Sequence, residues 1–183
     1  MSYDINFWKQ ERSLELTNEE IYAKLCSGEA VDGLARLPTD KILQRLRERF
    51  PAFDPSDDFP DVELEDGNIE FLWSDYYFRF DLRGNVCASE KNAIVDILAQ
   101  YGCPMYDPQS GTRYDAVDGT ELGEKAKFED PTPEQLAEVQ RMQEELLAKI
   151  QMGGKKKAGC GTSTSILLVL VFVLIGLFWK TVC

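Results

Sequence analysis

An uncharged, mainly apolar run near the C-terminus constrains this chain most strongly. It occupies 14 residues, 166–179, and Lys155, Lys156 and Lys157 precede it. As a helix these residues would be roughly 21 Å long, which is shorter than the roughly 30 Å hydrocarbon core of a bilayer. The small, uncharged residues 158–165 extend the segment to 22 residues. Its helical length then becomes roughly 33 Å, which is enough to span the membrane.

The sequence therefore predicts a tail anchor. One transmembrane helix is expected over 162–183, after a basic, glycine-containing hinge over 153–161. The lysines favour a cytoplasmic location for the N-terminal part, because positive charge is retained on that side. The residues predicted to lie in or against the membrane are Lys155, Lys156, Lys157, Ile166, Leu170, Phe172, Leu174, Phe178 and Trp179. A buried core helix and a hydrophobic tail docked on a partner are the alternatives. The N-terminus is too short and polar for a signal peptide.

The remainder of the chain is strongly acidic. All 32 Asp and Glu residues precede the lysine cluster, and without the four tail lysines 16 basic residues remain, which gives a net charge of −16. Such a surface repels nucleic acid and anionic lipid, and it attracts basic proteins. An acidic surface that serves only solubility has the same composition, so charge alone identifies no partner.

Residues for common catalytic and metal sites are scarce. The chain has no histidine, so a Ser or Cys nucleophile would lack an imidazole base. Its five cysteines show no Cys-x-x-Cys spacing, which argues against structural zinc and fits a reducing cytosol. Neighbouring carboxylates such as Asp57 and Asp58 are expected by chance in so acidic a chain. The sequence therefore predicts no enzyme and no cofactor or metal.

Apolar periodicity predicts a mixed domain over residues 1–128. Alternating residues indicate strands, with a hairpin turn at Ser74 and Asp75, over 3–8, 69–73, 76–82 and 103–106. Helices are predicted, from capping residues and helical spacing, over 17–25, 39–50 and 89–101, and Ser89 is the expected N-cap of the third. This order is the split βαβ pattern, so we expect an α+β, ferredoxin-like βαββαβ sandwich with its aromatic sheet face packed on the helices. Pro104 indicates that the last of these strands is an edge strand.

A separate helix is predicted over 129–152. Thr132 can cap it and Pro133 suits its first position. Apolar residues recur every three or four positions, at Leu136, Val139, Met142 or Gln143, Leu146 and Ile150. The helix could fold back on its own domain, or it could act as a stalk or partner-binding helix, including in a homo-oligomer.

The best candidate for partner contact is the acidic segment from Asp54 to Asp66, a predicted loop between the second predicted helix and the second predicted strand. Clustered carboxylates complement a basic surface and accelerate encounter. The residues predicted to bind a partner are Asp54, Asp57, Asp58, Asp61, Glu63, Glu65 and Asp66.

Three segments carry a resemblance to other proteins. The opening residues 1–9, the hairpin at 73–75 and the segment 102–111 resemble a scattered group of small, uncharacterised bacterial proteins. Some of these look like immunity proteins encoded beside secreted toxins. The resemblance covers about residues 1–115, and it implies a non-catalytic binding module that neutralises a cognate toxin. The alternative function is a tail-anchored adaptor that assembles a membrane complex through the 132–150 helix and the anchor.

Overall fold

The computed structural model describes residues 2–116 and 118–154. Its elements in chain order are β1 Ser2–Trp8, α1 Asn18–Cys26, α2 Thr39–Arg49, β2 Asp61–Glu63, β3 Gly67–Trp73, β4 Tyr77–Gly84, α3 Ala88–Ala99, β5 Met105–Asp107, β6 Thr112–Arg113 and α4 Pro133–Gly154. One compact unit ends at Phe128, and α4 belongs to a second unit. The predicted α+β class is confirmed.

The six strands form one antiparallel sheet in the order β2-β3-β4-β1-β5-β6. The first strand of the chain lies inside the sheet, since Asn6 of β1 pairs with Arg79 of β4 on one side and with Tyr106 of β5 on the other. The hairpin between β3 and β4 closes where Ser74 donates its backbone N–H to the carbonyl of Tyr77 at 2.9 Å. The predicted hairpin turn is therefore confirmed.

One face of the sheet packs against α2 and α3 to form the main core. Ile5 and Phe7 of β1 both point to this side, because residues two apart on a strand lie on the same face. Aromatic rings fill its centre. Phe71 of β3 stacks on Phe53 with ring centroids 4.2 Å apart, and Phe80 meets Phe71 edge-on at 5.4 Å. The predicted aromatic face therefore lies in the core.

The opposite face of the sheet carries α1. A second apolar cluster joins Ile21 of α1 to Trp8, Tyr77 and Tyr106 from three neighbouring strands. The expectation that the helices pack on the aromatic face alone is therefore wrong for α1. The physical reason is that these three side chains are out of phase with the main core and need their own apolar cover.

Two local expectations are also wrong. Helix α3 begins at Ala88 with Cys87 as its N-cap, and Ser89 lies inside the first turn. Because Ala88 is buried, packing favours a helix that begins two residues earlier than a helix with Ser89 as its N-cap would. Strand β5 is not an edge strand, since β6 pairs with it. Pro104 precedes Met105, so its missing N–H falls outside the ladder.

The helix α4 begins as its sequence predicts. The hydroxyl of Thr132 accepts the backbone N–H of Gln135 at 3.3 Å, and the side chain of Gln135 accepts the N–H of Thr132 at 2.8 Å. Within 2–116 and 118–154, no helix has the length and apolar character needed to cross a bilayer. The predicted anchor over 162–183, with all nine residues predicted to contact the membrane, lies outside the described residues, as does the hinge from Lys155 onward.

Candidate partner-binding surface

The structure places the acidic candidates on a loop, a strand and a turn. Asp57 and Asp58 are exposed in the loop before β2, and Glu65 and Asp66 are exposed in the turn after it. Asp61 and Glu63 lie in β2, a strand where the sequence predicts a loop. Val62 between them is buried, so both carboxylates point to the other face of the sheet, into solvent.

Asp54 has a local structural role. Its carboxylate accepts hydrogen bonds from the backbone N–H of Ser56 at 3.0 Å and from the Ser56 hydroxyl at 2.8 Å. These two bonds, with the nearby charge of Arg47, lower the pKa of Asp54. The residue therefore shapes the loop and stays ionised to lower pH than a free carboxyl.

The seven candidates share one electrostatic property. Among the residues that the structure describes, no Lys or Arg nitrogen lies within 4.0 Å of any of their carboxylates. Acids elsewhere on the surface are often paired, as Asp75 is with Arg36 at 2.8 Å. The charge of the acidic segment is therefore available to a partner.

Strand pairing adds acids that the sequence did not single out. Asp61 of β2 lies opposite Glu70 of β3, Glu70 lies opposite Asp81 of β4, and Asp81 lies opposite Asp4 of β1. All four therefore share one face in a row, which we call the carboxylate row. Like charges on opposing strands destabilise a sheet, so the row needs compensation.

Two arginines and several neutral donors supply that compensation unevenly. Arg83 pairs with Glu70 at 2.5 Å, and Arg79 pairs with Asp81 at 2.6 Å. Among the residues that the structure describes, the Asp61 carboxylate receives only the side-chain amide of Asn68, at 2.6 Å. The least neutralised member of the row is thus Asp61, at the edge of the sheet.

An exposed aromatic ring lies beside this edge. Phe59 is 81% exposed, and it lines a shallow depression together with Asp61, Asn68, Glu70 and Arg83. A phenyl ring this accessible does not contribute to the core, and flanked by carboxylates it can receive the aliphatic stem and charge of an Arg or Lys. Sequence reasoning passed over Phe59, although a lone Phe in a Pro- and Asp-rich loop is a usable signal.

No group of three potential metal ligands is present among residues 2–116 and 118–154. Comparison of the chain with family models, with curated proteins and with solved structures finds no match.

Proposed function

We propose that the chain is a non-catalytic, acidic protein-binding module, held at the cytoplasmic face of a membrane by its 162–183 segment. The observation that carries this proposal is that, among the described residues, no Lys or Arg nitrogen lies within 4.0 Å of the carboxylates of the acidic segment, and that the exposed ring of Phe59 lies beside Asp61. Such a surface steers a basic partner into contact and offers it an aromatic anchor.

In its most concrete form the module is an immunity protein that neutralises a cognate basic toxin at or near the membrane. The resemblance of residues 1–9, 73–75 and 102–111 to immunity-like bacterial proteins supports this form. The proposed scaffold is a ferredoxin-like βαββαβ sandwich, supported by the order β3-β4-β1-β5 within the sheet and by two crossover helices, α2 and α3, on one face.

Affinity purification of the full-length chain from detergent-extracted membranes tests the proposal. Mass spectrometry should identify a basic protein that is retained at low salt and lost at high salt, because screening weakens charge attraction. The variant Asp57→Lys/Asp58→Lys should lose this protein. The matched variant Glu144→Lys/Glu145→Lys, which changes the same charge on α4, should retain it. Recovery that ignores salt and both variants would contradict the proposal.

The proposed orientation is tested with the chain's own cysteines. Cys26 is exposed in the domain, and Cys183 is the last residue of the proposed anchor, at the end away from the domain. In sealed, right-side-out membrane vesicles, a membrane-impermeant maleimide should label Cys183 and leave Cys26 unlabelled until detergent is added. Labelling of both residues, or of Cys26 alone, would refute the topology.

A membrane adaptor is the second candidate function, and α4 favours it. Leu136, Met142 and Leu147 are exposed on this helix, which leaves apolar surface for a partner helix or a second copy. Deletion of 132–150 should then abolish assembly of the complex. Salt-insensitive recovery of membrane-complex subunits in the same purification would favour this function over toxin capture.

A further inference from the structure

The outer edge of β2 carries unpaired backbone groups. The N–H of Phe71 donates to the carbonyl of Pro60 at 2.9 Å, and the N–H of Leu64 donates to the carbonyl of Gly67 at 2.8 Å. Bonded pairs alternate along an antiparallel ladder, so residues 60, 62 and 64 direct their backbone groups toward β3. Asp61 and Glu63 therefore direct theirs away from the sheet.

These groups form an open docking edge. Strand β2 is the terminal strand of the sheet, and no backbone hydrogen bond to the N–H or C=O of Asp61 or Glu63 from outside β3 occurs among the described residues. Two N–H donors and two C=O acceptors thus face solvent at the spacing of a β-ladder. The side chains of Asp61 and Glu63 lie on the face that carries Phe59 and the carboxylate row.

We propose that this edge binds an extended, basic segment of the partner protein as a seventh strand. The inference rests on the proposed binding function and names its contact. Residues of the added strand opposite Asp61 and Glu63 would be Lys or Arg, and the residue opposite Val62 would be apolar because Val62 faces the core. The recognised pattern is therefore basic–apolar–basic, with one basic side chain over Phe59.

Charge complementarity selects this occupant over a second copy of the chain. Two β2 edges paired with each other would place Asp61 and Glu63 against the same acids, and like charges directly opposite each other oppose pairing. Acidic side chains on a short edge strand therefore block self-association while they admit a basic strand.

The first probe is a synthetic peptide of alternating lysine and valine, added to the full-length chain in detergent micelles. Its matched control has the same sequence, with N-methyl groups on the residues whose N–H would face β2. We expect the control peptide to bind about tenfold more weakly, since it keeps the charge and loses the ladder hydrogen bonds. Equal affinities for the two peptides would overturn the proposal and indicate charge attraction alone.

Hydrogen exchange locates the contact. In the fragment that contains Asp61 and Glu63, the unmodified peptide should slow exchange of these two amides, and the N-methylated peptide should leave it unchanged. Binding without any change in this fragment would exclude strand addition at β2.

A pair of variants separates the backbone from the charge. Glu63→Pro and Glu63→Ala both remove one carboxylate, but only proline removes the outward N–H, and an edge strand tolerates proline at such a position. We expect Glu63→Pro to bind the peptide about fivefold to tenfold more weakly than Glu63→Ala, with unchanged far-UV circular dichroism.

The two proposals fail differently. Capture of a basic protein from membranes with equal affinity for both peptides would leave the binding function standing and overturn strand addition. Absence of any captured basic protein would refute the binding function and, with it, the assignment of this edge to a partner.

Discussion

The phenolic hydroxyl of Tyr22 donates a hydrogen bond to Oδ2 of Asp4 at 2.9 Å, which joins α1 to the central strand of the sheet. The Asp4 carboxylate also accepts the side-chain amides of Asn6 at 2.9 Å and Gln109 at 3.0 Å. Burial and the Asp4 contact together raise the pKa of Tyr22, so the hydroxyl stays protonated and keeps donating well above neutral pH. This one carboxylate thus connects β1, α1 and the turn after β5.

Removal of that hydroxyl should destabilise the fold modestly. We expect Tyr22→Phe to lower the free energy of unfolding by about 1 kcal/mol, because Asp4 keeps two other donors. Tyr76→Phe is the control, since Tyr76 is 44% exposed in the β3–β4 turn. Urea denaturation measures both variants, and equal stabilities would show that the Tyr22 bond contributes nothing.

Truncation of two neighbouring residues on β3 should lower the free energy of unfolding by very different amounts. Phe71 is buried against Phe53 and Phe80, whereas Leu72 points to the other face and is 37% exposed. Phe71→Ala should lower the free energy of unfolding by about 4 kcal/mol through lost burial and a cavity. Leu72→Ala should change it by about 0.5 kcal/mol or less. The same denaturation experiment decides, and a similar loss in both variants would contradict the assigned faces.

Of the arginines in the fold, we expect Arg113 to contribute most to the free energy of unfolding. Its side chain is 1% exposed, lies 4.5 Å from the Trp8 ring centroid, and pairs with Asp115 at 3.3 Å. Burial lowers the pKa of Arg113 to about 10, although Asp115 opposes the shift. Arg113→Ala removes the cation that pairs with Asp115 and the guanidinium that packs on the Trp8 ring. We therefore expect it to lower the free energy of unfolding by about 3 kcal/mol. Arg12→Ala removes an exposed pair with Asp32 and should change stability by about 0.5 kcal/mol. Urea denaturation at neutral pH measures the free energy of unfolding of both variants.

The reactivity of the cysteine thiols toward alkylation should distinguish the native from the unfolded protein. Cys26 and Cys87 are exposed, whereas burial of Cys103 raises the pKa of its thiol to about 12. Thiolate is the reactive form, so iodoacetamide should modify Cys26 and Cys87 in the native protein and Cys103 only after unfolding. Mass mapping of the alkylated peptides checks this order, and native alkylation of Cys103 would contradict its burial.

The same shift has a pH consequence. Between the usual thiol pKa and about 12, the folded state binds the Cys103 proton and the unfolded state releases it. The stabilising contribution of the buried Cys103 thiol should therefore be fully present below the thiol pKa of the unfolded chain. It should be lost as the pH rises toward 12. Cys103→Ala should flatten this fall, which alkaline urea titrations can measure.

Local signals in the sequence were sufficient for much of the fold. The capping box of Thr17 and Glu20 begins α1 as predicted, and Thr132 caps α4. Both depend on residues three apart, so no knowledge of distant contacts is needed. The alternation of β3 and β4 likewise identified the core face.

Features that depend on strand register were beyond the sequence. Glu70, Asp81 and Asp4 join Asp61 in one row only because three pairings align them. Asp and Glu are also poor strand formers, so β2 has a composition typical of a loop. The position of α1 on the second face depends on Trp8, Tyr77 and Tyr106, which converge from distant parts of the chain.

The central position of β1 sets an order for synthesis and folding. This strand leaves the ribosome before the other strands of the sheet, and Arg79 and Tyr106, the partners of Asn6, follow more than 70 residues later. A nascent chain that ends before β5 would hold β1 without one neighbour, and the sheet cannot close until nearly the whole domain has been made. Such distant pairing slows folding, so the emerging chain exposes an apolar strand for longer than a locally paired sheet would.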